Sequence, residues 1–556
     1  MPKQVGMKGN LDDVMQRYVV TDFSGGLNSE LDKGDLPENT LADCQNVKFY
    51  PGRAVGRDGY IARVTGLAAN ADGLYFFYDG NGARRLVVFT NGNLYDITDF
   101  NTTLVASGVY TAGHRVTAAV LNAKLYFSDG YTIHTFGADV TGIRYYDPPT
   151  SLVTAPGLIT SAGVGTIPTP ACKVMLSYNG ALVLGCIKYT GGTSSTSGVM
   201  WSNTNDPTTI YGTSIYQIGQ GQGGEVNTLV AFGVASVGIT PFQAIFVGKS
   251  EQGVYLLKGA LTVTDLSSSI INAPVGVIDG ASAQFIPGPD GSGYVVWLGT
   301  DRRVWYTNGV ISQELSAPIR SELAAAVSTA ISSGTYKFTS ARNNADYMYT
   351  LDVGSNIQYC YNWDLKNWTR YSGWPSGYWA SGKDSSSQDV MYVADGSARV
   401  CQANIGLTDG GSAINPYVET GWTNVGDAEI LKVWRWLYVA YRTDVGQVDF
   451  IATPNLGVGT PATGTLTPTI VDTNTSDLVW GVGLWGEAVW GGVGVTTFAP
   501  YKSKKRITVP VAGTNERELL KGYDVKMRFT QSVSGARFEI LGFALLYTLR
   551  GRIRVA

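Results

Sequence analysis

Seven segments of the chain share one pattern, in which a short run of alternating apolar and polar residues is followed by a glycine-containing turn and a second such run. Alternation with a period of two is typical of β-strands, and a glycine turn between two strands favours a hairpin. Each segment is therefore predicted to form a β-hairpin. The segments are 86–97, 125–133, 174–184, 245–257, 294–306, 347–361 and 390–400.

The dipeptides at the turns strengthen this prediction. Type I′ turns need positive φ at both central residues, which Asn, Asp and Gly tolerate while matching the twist of the strands. Turns are predicted at Asn91-Gly92, Asp129-Gly130, Asn179-Gly180 and Asp395-Gly396.

The spacing of the hairpins predicts an architecture. They recur about every 40–50 residues, apart from a wider gap between the third and the fourth, and this period is typical of four-stranded propeller blades. We predict an all-β protein with β-propeller-like blades over residues 71–410. An irregular succession of hairpins in two or three sandwiches would produce the same pattern and stays open as an alternative.

The flanking regions differ from the repeated part. Residues 1–70 form a predicted N-terminal arm, and residues 411–556, in which the hairpin period fades, form a predicted C-terminal β-sandwich domain. One helix is predicted near 316–334, with apolar residues at helical spacing and Gly334 beyond its end. Strands of the C-terminal domain are predicted at 431–441, 448–452, 506–511, 524–531 and 538–549.

Composition narrows the possible functions. Glycine contributes 69 residues, aromatic residues 11% and charged residues only 15%, so the surface is rich in Ser, Thr, Asn and Gly, which suggests burial in an assembly. The net charge is −3, so the chain has no overall excess of basic residues of the kind that tight nucleic-acid binding normally requires.

The cysteines and the apolar runs indicate the cellular compartment in which the chain folds. Its 5 cysteines are widely spaced and contain no Cys-x-x-Cys pair, which predicts buried, reduced thiols. The start of the chain lacks a signal-peptide core, and no apolar run reaches membrane-spanning length. We expect folding in a reducing cytoplasm without stable membrane insertion.

Several short motifs occur in a fixed order. Near the amino end the chain reads Phe-Ser-Gly-Gly-Leu-Asn over 23–28, a Leu-Pro turn at 36–37, an Asn-Val pair at 46–47 and Arg-Asp-Gly at 57–59. Met-Trp-Ser-Asn at 200–203 precedes Asp206-Pro207. Tryptophans stand at 480, 485 and 490, and the chain ends in alternating arginines. This order resembles the tail nozzle, or tail tubular (tail hub), proteins of short-tailed, podovirus-like bacteriophages.

The resemblance implies a structural protein of the virion tail, made in the bacterial host cytoplasm. Members of that family form homohexameric rings below the portal–adaptor (head-to-tail) proteins, retain and then conduct double-stranded DNA during ejection, and support the attachment of tail fibres or spikes. It implies transient, non-specific contact with passing DNA. We expect the arm and the C-terminal domain to form the ring and adaptor contacts, and loops richer in acids than in bases to line the bore.

Catalytic chemistry is poorly supported by the sequence. The chain has only 2 histidines, His114 and His134, and neither lies in a metal-binding or nucleophile motif. We predict no enzyme activity, no catalytic or metal site and no cofactor. Two basic clusters are candidates for contact with a partner or DNA, with a solvated face or an inter-subunit salt bridge as the alternative. They consist of Lys502, Lys504, Lys505 and Arg506, and of Arg550, Arg552 and Arg554.

A second function stays open. Trp363, Trp368, Trp374 and Trp379 would suit a carbohydrate-binding or glycan-degrading β-propeller at the host surface if they lined a groove, although aromatic residues also fill the cores of blades.

Overall fold

A computed structural model gives the fold of the chain, which divides into two compact units. Unit 1 comprises residues 1–57 and 411–556, and unit 2 comprises residues 58–410. The structure describes residues 15–131, 142–148, 157–158, 170–189, 194–204, 206–219, 221, 223–236, 239–273, 275–287, 293–334, 336–344, 346–354, 356–423, 425, 429–443, 447–455, 460–466, 501–510 and 517–550.

The first five strands belong to unit 1. They are β1 Gln16–Val20, β2 Gly26–Leu27, β3 Thr40–Gln45, β4 Val47–Tyr50 and β5 Arg53–Gly56. Unit 2 then begins with β6 Tyr60–Val64. The predicted arm of 1–70 thus contributes strands to both units.

Unit 2 continues with sheets of four antiparallel strands in chain order. Sheet I contains β7 Ala71–Tyr78, β8 Arg84–Thr90, β9 Asn93–Asp96 and β10 Thr103–Ala106. Sheet II contains β11 Arg115–Leu121, β12 Lys124–Tyr131, β13 Arg144–Tyr146 and β14 Gly157–Leu158. Sheet III contains β15 Pro170–Tyr178, β16 Ala181–Tyr189, β17 Ser194–Asn203 and β18 Asp206–Gln217.

The next three sheets repeat this arrangement. Sheet IV contains β19 Val226–Ser236, β20 Ile239–Lys249, β21 Val254–Lys258 and β22 Ser267–Ile271. Sheet V contains β23 Gln284–Pro287, β24 Gly293–Leu298, β25 Val304–Thr307 and β26 Ser312–Glu314. Sheet VI contains β27 Thr339–Asn343, β28 Met348–Asp352, β29 Ile357–Asn362 and β30 Asn367–Ser372.

Sheet VII joins distant parts of the chain. It contains β31 Gly377–Lys383, β32 Asp389–Asp395 and β33 Arg399–Ala403, and β33 pairs antiparallel with β6. The short strand β34 Thr408–Asp409 also pairs with β6, in parallel. The amino-terminal strand of unit 2 thereby completes its last sheet.

The seven sheets follow one another in a closed order. The first strand of each sheet lies against the first strand of the next, and β31 of sheet VII lies against β7 of sheet I. Apolar clusters fill the spaces between neighbouring sheets, for example Phe89 with Phe127 between sheets I and II, and Phe246 with Trp297 between sheets IV and V. Burial on both faces explains why many of these strands contain long apolar runs.

The seven predicted hairpin segments map one to each sheet, and one of them is placed wrongly. Asn91 and Gly92 have φ of 50° and 77° and connect β8 to β9, as predicted. Asp129 and Gly130, by contrast, lie inside β12. The turn of sheet II precedes that strand, at Asn122 and Ala123, with φ of 50° and 60°.

The predicted helix is present between sheets V and VI. A short 3₁₀ segment, Ala317–Ile319, leads into the α-helix Arg320–Ser332 (α1), and a second 3₁₀ segment, Gly280–Ser282, precedes sheet V. Leu323, Val327 and Ala330 face the core, and Gly334 follows the helix with a φ of 72°. Within the described residues, no helix is long and apolar enough to cross a membrane.

After residue 410, the described residues of unit 1 form ten strands. They are β35 Ser412–Ala413, β36 Tyr417–Thr420, β37 Leu431–Arg442, β38 Val448–Pro454, β39 Ala462–Leu466, β40 Tyr501–Arg506, β41 Thr508–Pro510, β42 Arg517–Gly522, β43 Val525–Thr530 and β44 Glu539–Arg550. The predicted strands at 431–441, 448–452, 524–531 and 538–549 are confirmed within a few residues. The segment predicted at 506–511 is split between β40 and β41.

Two sheets build unit 1. The large sheet has the order β4–β5–β44–β37–β42–β41, with β1 also paired to β44 and β40 to β37. The small sheet has the order β2–β3–β36–β43–β38–β39. Phe529 of the small sheet packs against Phe543 of the large sheet with ring centroids 5.4 Å apart. The all-β fold class is confirmed, with α1 as the one α-helix among the described residues.

Candidate functional sites: a basic strand and a central cavity

The first predicted basic cluster lies on one strand of unit 1. Lys502, Lys504, Lys505 and Arg506 belong to β40, which pairs with β37 so that Tyr438 stands opposite Lys504 and Trp436 opposite Arg506. Alternate residues of a strand point to opposite faces, which explains why Lys504 and Arg506 are exposed while Ser503 is buried.

Aromatic residues of β37 hold the lysine of this cluster. The Nζ atom of Lys504 lies 4.2 Å from the centre of the Trp436 ring and 5.3 Å from that of Tyr438. Both rings are half-buried. A cation over an aromatic face is attracted by the ring quadrupole, and its charge stays available to an anion on the solvent side. We name Lys504, Arg506, Trp436 and Tyr438 the basic strand site.

The sequence did not reveal these aromatic partners, because they lie on a strand far away in the chain. The only available signal was the alternation of Trp436 and Tyr438 with buried residues of β37.

The second predicted cluster is only partly described. Arg550 is the last residue of β44, where its backbone pairs with Leu431 at the start of β37. Arg552 and Arg554 lie outside the described residues, as do Trp480, Trp485 and Trp490.

The motifs that carry the family resemblance have structural partners in unit 1. Phe23 and Leu27 are buried, and the Gly25 N–H donates to the Asn39 carbonyl at 3.0 Å. Nε of Arg57 donates to Oδ1 of Asn46 at 2.9 Å, deep in the interior. In this part of the chain, the motif residues therefore stabilise the fold.

The Trp-Ser motif has a comparable role in sheet III. Trp201 is packed into the core shared with sheet IV, and Oγ of Ser202 accepts the Leu182 N–H at 3.0 Å. The Asp206 carboxylate accepts the Thr208 hydroxyl at 2.6 Å, and this hydrogen bond contributes most to lowering the pKa of Asp206.

A cavity of about 240 Å³ lies in unit 2 among the first strands of sheets I to VII. Each first strand, or the segment leading into it, contributes lining residues, among them Tyr75, Arg115, Asn227 and Tyr378. Two of the lining residues form ion pairs: Nη1 of Arg115 lies 2.6 Å from Oδ1 of Asp279, and Nζ of Lys173 lies 2.5 Å from Oε1 of Glu225. Burial opposes the charged form of Arg115, but Asp279 more than compensates and the net effect raises the pKa of the guanidinium.

Asp72 lies close to this part of unit 2. Its carboxylate accepts the Tyr110 hydroxyl at 2.7 Å and the Gly113 N–H at 3.2 Å. Burial raises the pKa of Asp72, and the two hydrogen bonds together with the positive charge of Lys337 oppose that rise.

The side chains of His114, Asp129 and Asp395 are engaged in structural contacts. His114 is buried, with Nδ1 3.1 Å from the Asp129 carbonyl oxygen, and His134 lies outside the described residues. The Asp129 carboxylate accepts the Thr111 N–H at 2.7 Å, and Asp395 binds Arg399 at 2.5 Å. No cluster of three metal-ligating side chains occurs in the described ranges of the chain. All five cysteines are buried and remain unbridged by disulfides, as predicted.

The four tryptophans considered for a groove do not share one environment. Trp368 and Trp374 are buried, and Nε1 of Trp368 donates to the Leu315 carbonyl at 2.9 Å. Trp363 is half-buried and stacks on Tyr294 at 5.4 Å, whereas Trp379 lines the central cavity. The hypothesis that all four side chains line one groove is therefore wrong, because Trp368 and Trp374 lie in the core.

Comparison with known proteins adds no relative: no protein-family model and no curated protein matches the chain. Its residues, the two units and the two candidate sites therefore carry the functional argument.

Proposed function

We propose that the chain is a structural protein of a bacteriophage tail, a nozzle whose six copies form a ring below the portal–adaptor proteins. The observation that carries the proposal is the pair Asn46 and Arg57. Both belong to the motif series of the resemblance, and they meet in the buried interior of unit 1. A fold of the amino end shared with the tail nozzle proteins would require motif residues such as Asn46 and Arg57 to occur in the same order along the chain.

The proposed architecture is a seven-bladed β-propeller attached to a β-sandwich. The closed order of sheets I to VII and the completion of sheet VII by β6 support the propeller. The packing of Phe529 on Phe543 between the large and small sheets supports the sandwich. Two such rigid bodies suit a protein that must keep its shape while DNA passes.

The charge of the chain fits a conduit for duplex DNA. Each phosphate that a wall neutralises adds salt-dependent affinity, which would slow ejection. A net charge of −3 with only 15% charged residues keeps this affinity low. We propose that loops richer in Asp and Glu than in Lys and Arg line the bore, and that contact with passing DNA is transient and non-specific.

The basic strand site suits a protein partner. Lys504 is fixed between two aromatic rings, and Arg506 is exposed beside it, so the site presents oriented positive charge together with apolar surface. Aromatic residues and arginine are enriched at protein interfaces. We propose that it binds an acidic surface of a neighbouring subunit, of the adaptor or of a tail fibre.

Electron microscopy of the purified full chain, alone and mixed with a portal–adaptor complex, tests the proposal. Sixfold rings with a central hole wide enough for duplex DNA are expected. Particles that stay single with the adaptor present would contradict it. Such particles together with depolymerisation of a host glycan would favour the carbohydrate-directed alternative.

A further inference from the structure

The central cavity of unit 2 has a mixed lining in which hydrogen-bonding groups dominate one part. Asn227, Thr228, Thr339 and Ser340 line the cavity with amide and hydroxyl groups, each of which already donates a hydrogen bond to a backbone carbonyl but keeps an oxygen that can accept one. Arg115 brings a guanidinium. A polar lining with a cation is typical of sites that orient a small ligand through a few hydrogen bonds.

Two buried donors of the lining lack an acceptor. Nη2 of Arg115 and Nε1 of Trp379 are both buried, and neither has a hydrogen-bond partner among the described residues. Both residues line the cavity. Because buried polar groups in native proteins are almost always hydrogen-bonded, these two donors are suited to an acceptor that enters the cavity.

The carboxylate nearest to Arg115 is already committed. Asp279 accepts hydrogen bonds from Nη1 of Arg115, from the Ala281 N–H at 3.0 Å and from the Phe338 N–H at 3.2 Å. Asp279 therefore does not supply an acceptor for Nη2 of Arg115. Arginine is suited to an acceptor that enters the cavity, because its planar fork can bind a carboxylate or phosphate while staying fully charged.

A second cation lies beside the same wall. The Tyr378 ring, which lines the cavity, has Nζ of Lys337 at 5.0 Å from its centre and the Arg115 guanidinium carbon at 5.7 Å. In the described part of the chain Lys337 forms no direct ion pair, although its charge acts on the Asp72 carboxylate. The Tyr378 ring is thus flanked by two cations, Arg115 with a donor that has no partner and Lys337 with no direct ion pair among the described residues.

We propose that the cavity binds a small oxyanion, a carboxylate or phosphate group on a compact body, with Arg115 and Lys337 supplying the charge and Trp379 a further donor. The cavity volume of about 240 Å³ leaves room for a small ligand. A free phosphate or a small sugar acid fits this space. The inference concerns unit 2 alone and does not depend on the proposed ring.

Calorimetric titration of the full chain tests the site, with inorganic phosphate and gluconate as separate probes. One site per chain is expected for at least one probe, and the probe that binds identifies phosphate or carboxylate as the preferred group. Arg115→Lys keeps the charge beside Asp279 but loses the fork, and we expect it and Lys337→Met each to weaken binding about tenfold.

Two further variants separate binding from folding. Trp379→Phe keeps an aromatic ring but removes the spare N–H, and it should weaken binding without changing the unfolding temperature much. Lys124→Met is the matched control, because Lys124 also lies over a tyrosine ring, Tyr145 at 5.3 Å, away from the cavity lining. It should leave affinity unchanged.

Three outcomes would overturn the proposal. The first is no heat of binding for either probe up to about 10 mM, where even weak sites would be occupied. The second is equal affinity of the Lys337→Met and Lys124→Met variants. The third is a high-resolution crystal structure, grown with the binding probe, that holds only water between Arg115 and Trp379.

Discussion

Arg57 and Asn46 are joined twice in the interior of unit 1. Nε of Arg57 donates to the side-chain oxygen of Asn46 at 2.9 Å, and its backbone N–H donates to the Asn46 carbonyl at the same distance. The amide nitrogen of Asn46 in turn donates to the Asn415 carbonyl at 3.3 Å. The amino-terminal segment is thereby tied to the part of unit 1 that follows residue 410.

Replacing Arg57 tests the importance of this contact. Arg57→Met keeps most of the buried stem but leaves the Asn46 oxygen without its donor, and we expect the free energy of unfolding to fall by about 2–4 kcal/mol. Chemical denaturation measures the change. Arg517→Met, at an exposed position of β42, is the control and should have little effect. Equal midpoints for the two variants would show that the buried contact contributes little.

Gly25 is expected to tolerate no side chain. A Cβ atom there would lie 2.6 Å from Oγ1 of Thr40 and 2.8 Å from the Asn39 carbonyl oxygen, and the backbone oxygen cannot move away cheaply. We expect Gly25→Ala to destabilise the chain by about 1–3 kcal/mol through overpacking. At Gly34, the nearest atom would be Oδ1 of Asp32 at 3.5 Å, so Gly34→Ala is the matched control in a thermal-unfolding comparison. A Gly25→Ala variant as stable as this control would exclude the steric argument.

Asp352 gives unit 2 a predicted pH dependence. Burial raises the pKa of this carboxyl to about 6, against hydrogen bonds from Ser376, Gly354 and Gly377. Because the pKa is higher in the folded than in the unfolded state, the folded chain binds the proton more tightly. The contribution of Asp352 to stability is therefore largest below about pH 4 and falls by up to about 3 kcal/mol as the pH rises through 6.

Asp352→Asn isolates this contribution. Its side chain offers one acceptor, whereas Oδ1 and Oδ2 of Asp352 accept the Gly354 and Gly377 N–H groups separately, so the variant should be less stable than the wild type at low pH. The difference in the free energy of unfolding between the variant and the wild type should narrow from pH 4 to pH 7, because only the wild type loses the stabilisation that protonation of Asp352 provides. Urea denaturation across this range measures it, and a constant difference would refute the assignment.

The basic strand site should contribute modestly to stability. Lys504→Met removes the cation over Trp436 and Tyr438, and we expect a loss of about 0.5–1 kcal/mol at low salt. Lys505→Met is the adjacent control, because Lys505 contacts neither ring among the described interactions. Denaturation at low and high salt tests the electrostatic origin, and no difference between the variants at low salt would contradict it.

The hairpins of unit 2 could be predicted because their information is local. Asn179 and Gly180 adopt φ of 48° and 75°, and these two adjacent residue types alone indicate the positive φ values that the turn requires. The error at Asp129 has a local cause as well, since an aspartate that binds the Thr111 N–H from within a strand resembles a turn residue in sequence. Ala123, which does adopt a positive φ of 60°, carries no sequence signal for it.

The pairing of strands that are far apart in the chain could not be predicted from the sequence. β1 lies on β44, and β3 lies on β36, so residues predicted as an arm are strands in the two sheets of unit 1. Strand alternation shows which face is buried but not which strand lies alongside. The contact of Lys504 with Trp436 and the shared position of Trp379 and Arg115 in the lining of one cavity were hidden for the same reason.

The division of unit 1 into residues 1–57 and 411–556 has a consequence for synthesis. During translation, the strands β1 to β5 leave the ribosome long before β36, β37, β43 and β44, with which the two sheets are built. Unit 2 can complete its own sheets in the meantime, because β6 and β33 both precede residue 411. Until then, β1 to β5 lack the partner strands of the carboxyl-terminal part, and their backbone edges stay unpaired. During this interval the nascent chain is most exposed to aggregation or to binding by chaperones.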